Sequence, residues 1–107
     1  MINGRRQKTA WHREAVGRNL TLAREALGSS RNDWIEQYGD SYGVYASKLS
    51  MWEAGITYPD LFFLIGLCEE HGLTLDWFLR GERSGLASSL VSALPAAAAQ
   101  FRLGRMH

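Results

Sequence analysis

Few side chains in this sequence are of the kind that make or break bonds, and none is spaced for it. His12, His71 and His107 are scattered, Cys68 is the single cysteine, and no Ser, His and Asp set has the spacing of a triad. There is no Gly-rich phosphate loop and no His-Glu-x-x-His run. His71 has no second His or Cys at metal-binding spacing and reads as a favourable helix-end residue. No catalytic residue, metal, cofactor or small-molecule ligand is therefore expected. What remains is recognition by contact, and one stretch is built for it. Gly43 to Gly55, GVYASKLSMWEAG, sets Val44, Lys48 and Met51 on one helical stripe and Tyr45, Leu49 and Trp52 on another. Leu49 and Trp52 are the natural core anchors, so the other face is left to touch a partner. Gly55 stops the helix and Pro59 keeps it from restarting.

The scaffold for such a helix must come from a short chain. Its 107 residues, 46% of them hydrophobic, suffice for one domain with one core. No apolar run reaches the eighteen or so residues that cross a membrane, and the basic amino-terminal residues have no apolar stretch behind them, so neither a membrane span nor a secretory signal is expected. A lone cysteine forms no internal disulfide. Cys68 sits in an apolar helix pattern as a small core residue, and a reducing cytoplasm is the default. The net charge is only +1, but Met1 to Arg31 holds seven basic residues against two acidic ones, +5, while the remainder carries −4. That asymmetry points the amino-terminal side at a polyanion.

Taken in order, Thr9 is placed to cap a helix running to about Leu27, with Val16, Leu20, Ala23 and Leu27 as its apolar stripe and Gly28 as its end. Gly17 weakens its middle by about 1 kcal/mol relative to Ala. Ser30 with Asp33 reads as a capping box, opening a second helix from Arg31 to near Gly39 with Trp34, Ile35 and Tyr38 inward. Asp60 caps a fourth helix with Leu61, Leu64, Ile65 and Cys68 inward, and Thr74 caps a short fifth that Gly81 stops. After Gly85, Leu86, Leu90 and Leu94 form a weak stripe before Pro95.

This ordered set of signals resembles the helix-turn-helix of the lambda-repressor and Cro type, the XRE family, over roughly residues 14 to 82. Val16-Gly17-Arg18, Leu20 and Arg24 match the family's first helix, and Ser30 opens its second. Gly43-Val44 and Leu49 begin its third, which Trp52-Glu53-Ala54-Gly55 closes. Pro59, the run from Leu64 to Cys68, and Leu73-Thr74-Leu75-Asp76-Trp77-Phe78-Leu79 with Gly81 match the fourth and fifth. The resemblance implies an all-α fold: a five-helix lambda-repressor-like domain over 9–82, a basic arm over 1–8, and an additional carboxy-terminal helix and tail over 83–107. It also implies a cytoplasmic, homodimeric transcriptional repressor that binds double-stranded DNA with its third helix, about residues 42–53, in the major groove.

On that resemblance Tyr42, Tyr45, Ala46, Ser47, Lys48 and Met51 reach bases or phosphates, with Lys48 suited to guanine and the Ala46 methyl to thymine. Arg31 stands where the family commonly has a phosphate-contacting glutamine, and Arg5, Arg6 and Lys8 add basic contacts. Arg24 and Glu53 are expected to form a partly buried ion pair that braces the third helix. Two copies are held together, in this reading, by Trp77, Phe78 and Leu79 or by Leu86, Leu90, Val91 and Leu94.

The chain departs from the family's pattern in two places. Ser30 plus nine residues reaches Gly39, and Trp52 minus nine reaches Gly43, where the family has one glycine; four residues are extra, lengthening either a helix by about one 3.6-residue turn or the turn itself. Positions that are often basic are also apolar or neutral here: Met51 before Trp52, and Ile56-Thr57-Tyr58 in the loop before Pro59. Each lost phosphate contact lowers affinity and its salt dependence. A protein-interaction module and an antitoxin-type autorepressor are the alternative readings of the same fold.

Overall fold

The computed structural model describes residues 12–94, and within them the chain is helical. Six helices follow in order: α1 Arg13–Ala26, α2 Arg31–Tyr42, α3 Ala46–Glu53, α4 Leu61–His71, α5 Leu75–Arg80 and α6 Ser88–Ala93. Their starts are fixed by side chains that accept from backbone N–H groups the helix cannot satisfy itself. Ser30 Oγ accepts from the Asp33 N–H at 3.0 Å while Asp33 Oδ2 accepts from the Ser30 N–H at 2.8 Å, the two halves of a capping box. Asp60 and Thr74 do the same for α4 and α5 through the N–H groups of Phe63 and Trp77. His12 caps α1. Thr9, the expected cap, lies outside the described residues, as do Arg5, Arg6, Lys8 and His107.

One core takes residues from every helix: Leu20 and Ala23, Trp34 and Tyr38, Leu49 and Trp52, Phe63, Leu64 and Leu67, Trp77 and Phe78, then Leu90 with Leu94 just beyond α6. Phe63 is its hub. Its ring lies 5.6 Å from Trp34 and 5.5 Å from Tyr38, both edge-on, and stacks on Trp52 at 5.6 Å. α1 and α5 are stapled by a reciprocal pair of bonds, Asn19 Nδ2 donating to the Phe78 carbonyl at 3.2 Å and Trp77 Nε1 donating to the Asn19 carbonyl at 3.1 Å.

Four expectations need correction. The four extra residues extend α2 to Tyr42, because Gly43, at φ 67°, is the first position where the chain turns left-handed and ends the helix. Helix α3 consequently begins at Ala46, later than residue 42. In α4 the inward face is Phe63, Leu64 and Leu67, with Ile65 and Cys68 only partly covered and Leu61 half exposed, since Phe63, packed against Trp34, Tyr38 and Trp52, sets which side of the helix faces in. Finally, Trp77 and Phe78 are fully buried, and Leu90 and Leu94 nearly so, inside a single copy. None of those four side chains is free to hold two copies together. Leu86 packs against the same core and Val91 alone stays well exposed, as Arg83 Nη2 ties α6 down by donating to the carbonyls of Val91 and Leu94.

Candidate nucleic-acid interface

Helix α3 is held from behind by backbone and charge as much as by apolar contact. Leu49 and Trp52 enter the core, and at its carboxy-terminal end α3 lies directly against Gly17 of α1: a Cβ there would sit 2.5 Å from the Trp52 carbonyl oxygen and 2.8 Å from that of Glu53. The glycine that weakens α1 is thus the position where the two helices nearly touch.

Glu53, last residue of α3, is the electrostatic anchor. Its carboxylate is almost wholly buried and accepts from Arg24 Nε at 2.8 Å, from Arg24 Nη2 at 3.2 Å and from Arg31 Nε at 3.0 Å. Burial opposes the charge, but the hydrogen bonds from Arg24 and Arg31 outweigh it and hold the carboxyl below its ordinary range. Arg24 also donates to the Ser29 carbonyl at 2.9 Å, so one guanidinium joins α1, the α1–α2 connection and α3. Arg31 is half exposed, and its second contact is Ser50 Oγ at 3.5 Å. Its fork bridges the start of α2 to α3 with part of the guanidinium still open to solvent.

The outward side of α3 carries short or flexible groups. Ala46, Ser47 and Met51 are exposed, Tyr45 just before the helix is 52% exposed, and Lys48 is partly covered. Lys48 Nζ donates to the Gly43 carbonyl at 3.1 Å and lies 4.8 Å from the centre of the Tyr45 ring, a local cation–π contact at the mouth of the α2–α3 connection. Arg18, on α1, borders a cleft of about 460 Å³ with Ala54 and Glu53 at the other end of α3. Cations therefore stand at both ends of α3, Lys48 at its start and Arg31 and Arg18 at its end.

Tyr42 does not belong to this surface. It is the last residue of α2, its ring sits 5.9 Å from Phe63 and 6.1 Å from Tyr38, and its hydroxyl lies against Gly66 of α4, where no side chain leaves the space open. The same end of the molecule holds a polar cluster that sequence reasoning missed: Tyr38 donates its hydroxyl proton to Glu70 Oε1 at 3.0 Å, sits 2.8 Å from His71 Nε2, and Gln37 Nε2 donates to Glu70 Oε2 at 2.9 Å. Burial and the neighbouring carboxylate push the Tyr38 phenol well above its ordinary value. Nothing in the spacing of Tyr38 and Glu70, thirty-two residues apart, announces that contact.

Among the described residues no group of three or more His, Cys, Asp or Glu is placed to hold a metal ion, and no helix is long and apolar enough to cross a membrane. Compared with protein-family models, with curated proteins and with solved structures, the chain found no match in any of the three.

Proposed function

We propose that the chain is a sequence-specific regulator that binds double-stranded DNA and represses transcription, with α2 and α3 acting as a lambda-repressor-type helix-turn-helix and α3 as the helix that enters the major groove. The observation that carries this reading is the combination of a braced back and a small polar front on α3. Glu53 and its two arginines fix the helix to α1 and α2, while Ala46, Ser47 and Lys48 face outward at its start with no bulky side chain among them. The connection of three residues, Gly43 to Tyr45, is the length such a motif uses.

In this reading Lys48 and Ser47 address base edges, the Ala46 methyl meets a thymine methyl, and Arg31 and Tyr45 reach phosphates. Met51 contributes apolar contact only. Two copies on two half-sites about 34 Å apart supply the selectivity that one short helix lacks. The exposed apolar residues Ile56, Tyr58, Leu61 and Phe62 favour a second reading, a protein-interaction module on the same fold.

Electrophoretic mobility against the DNA upstream of the protein's own gene, repeated across a salt titration, separates the two. A regulator gives a discrete shift that outlasts an excess of unrelated duplex and weakens as salt rises. No shift at low salt would exclude the DNA-binding reading and leave the interaction module.

A further inference from the structure

Base pairs are told apart in the major groove by a few chemical matches: Arg or Lys on guanine O6 and N7, Asn or Gln on adenine, Asp or Glu on the cytosine amine, and an apolar group on the thymine methyl. Helix α3, Ala-Ser-Lys-Leu-Ser-Met-Trp-Glu, has no Arg, Asn, Gln or Asp. Its one carboxylate, Glu53, is buried and taken up by Arg24 and Arg31. Its one cation, Lys48, is folded back on the α2–α3 connection, with Nζ 3.1 Å from the Gly43 carbonyl oxygen, 4.8 Å from the centre of the Tyr45 ring and 6.0 Å from that of Trp52. The guanidinium of Arg31 is spoken for as well, Nε donating to Glu53 and Nη1 turned to Ser50.

What α3 turns outward is uncharged. Ala46, Ser47, Ser50 and Met51 stand at i, i+1, i+4 and i+5 on one side of the helix, all exposed but for the partly covered Ser50, and opposite the buried Leu49, Trp52 and Glu53. We propose that this face selects thymine by its methyl group, so that each half-site is a run of A·T pairs whose thymine methyls meet Ala46 and Met51. The inference rests on the DNA-binding reading and narrows its target to one class of duplex.

The argument is one of chemistry left over on a helix already braced. A serine hydroxyl both donates and accepts, so Ser47 and Ser50 hold any base pair and select none. Lys48 is the only group of α3 able to seek a guanine, and as a point charge without a planar fork it sets one position at most. The thymine methyl is the only apolar group that a base presents in the major groove, and Ala46 and Met51 are the only apolar groups that α3 presents in return. Five residues separate them, about 7.5 Å along the helix axis, so they address separate base pairs.

Selection from a random duplex pool with the full chain, followed by replacement of single thymines in the selected site by deoxyuracil, is the test. Deoxyuracil keeps the pairing and removes only the methyl. The half-site is expected to be A·T-rich, and deoxyuracil at two or more of its thymines should weaken binding about fourfold each, the worth of one methyl-sized group withdrawn from water. That ratio should hold across a salt titration, because a methyl carries no charge. At a sensitive position 5-methylcytosine should bind more tightly than cytosine. Met51→Ala, an exposed substitution, should keep the wild-type melting midpoint and make one sensitive thymine indifferent to the exchange, while Lys48→Ala lowers affinity and leaves every thymine-to-deoxyuracil ratio as it was. A selected site dominated by G·C pairs overturns the proposal and leaves DNA binding standing. So does an A·T-rich site on which every deoxyuracil is silent, since the sequence would then be read through the shape of the duplex. A Met51→Ala protein that keeps every sensitivity overturns the assignment to this face. A pool from which nothing is retained overturns the DNA-binding reading and this inference together.

Discussion

Glu53 illustrates how one side chain can be essential without touching any ligand. Its carboxylate is withdrawn from water, which by itself would favour the neutral acid, and stays charged only because Arg24 and Arg31 both donate to it. Removing one side of such an arrangement strands the other, so Arg24→Ala is expected to cost about 3–5 kcal/mol in a denaturant melt, whereas Arg31→Ala, on the half-exposed side, should cost about 1 kcal/mol or less. The pH dependence has a definite sign. The folded carboxyl titrates below its unfolded value of about 4.3, so its contribution is fully present above that value and is lost as pH falls through the depressed one. Glu53→Gln should be less stable at neutral pH and show a shallower loss as pH falls below the unfolded value; an unchanged acid limb would place the acid sensitivity elsewhere. Lys48 is the opposite case. Its bond to the Gly43 carbonyl is exposed, so Lys48→Ala should leave the melting midpoint nearly unchanged while, if α3 reads DNA as proposed, weakening operator binding by about 1–3 kcal/mol, read by mobility shift. Equal affinity of variant and wild type would remove Lys48 from the interface.

At the scale of elements the telling residue is Gly17. In isolation a glycine within a helix is a defect, and Gly17→Ala would be expected to stabilise α1 by about 1 kcal/mol. Because the added Cβ would sit 2.5 Å from the Trp52 carbonyl, the substitution must instead push α3 away from α1, and a net loss of about 1–3 kcal/mol is expected in thermal or denaturant unfolding. A stabilised Gly17→Ala protein would mean that α3 can shift freely, which the bracing by Glu53 argues against. The same residue marks the limit of the sequence. Caps were legible, since Ser30 with Asp33, Asp60 and Thr74 act on backbone groups three residues away and need no tertiary knowledge. The Arg24–Glu53 contact was expected from the resemblance and is present at 2.8 Å. The inward face of α4 was not legible, because Leu-Phe-Phe-Leu-Ile-Gly-Leu-Cys is apolar all round and periodicity cannot choose between Leu61 and Phe63 when both directions are hydrophobic. The fate of the four extra residues was equally hidden: Gly39, Asp40 and Ser41 are turn formers by type, yet α2 runs through them because Tyr42 at its far end fits between Phe63 and Gly66.

For the whole molecule the distribution of charge poses a problem that its fold does not solve. The described body, residues 12–94, is net −4, and the remaining five basic residues, Arg5, Arg6, Lys8, Arg102 and Arg105, all fall in the two end segments with no acidic residue beside them. A body of that charge is repelled by duplex DNA at long range, even with Arg18, Arg31 and Lys48 near α3. The ends must therefore supply a large share of the electrostatic attraction if DNA is the partner. The carboxy-terminal side is a poor place to cut: a chain ending before Gly85 loses Leu90 and Leu94 from the core and should melt at a lower temperature, so its DNA binding would say nothing about assembly. The informative change is at the other end. Replacing Arg5, Arg6 and Lys8 together by Gln removes three charges and leaves every described residue as it is. If each neutralises one phosphate, the slope of log affinity against log salt should become shallower by up to about 2.7, since each phosphate contact contributes about 0.9. Affinity for operator and for unrelated duplex should then fall by similar factors, because phosphate contacts carry no sequence information. An unchanged slope would mean that the attraction comes from Arg18, Arg31 and Lys48 around α3, and that the acidic remainder of the body is turned far enough from the duplex to be screened by salt.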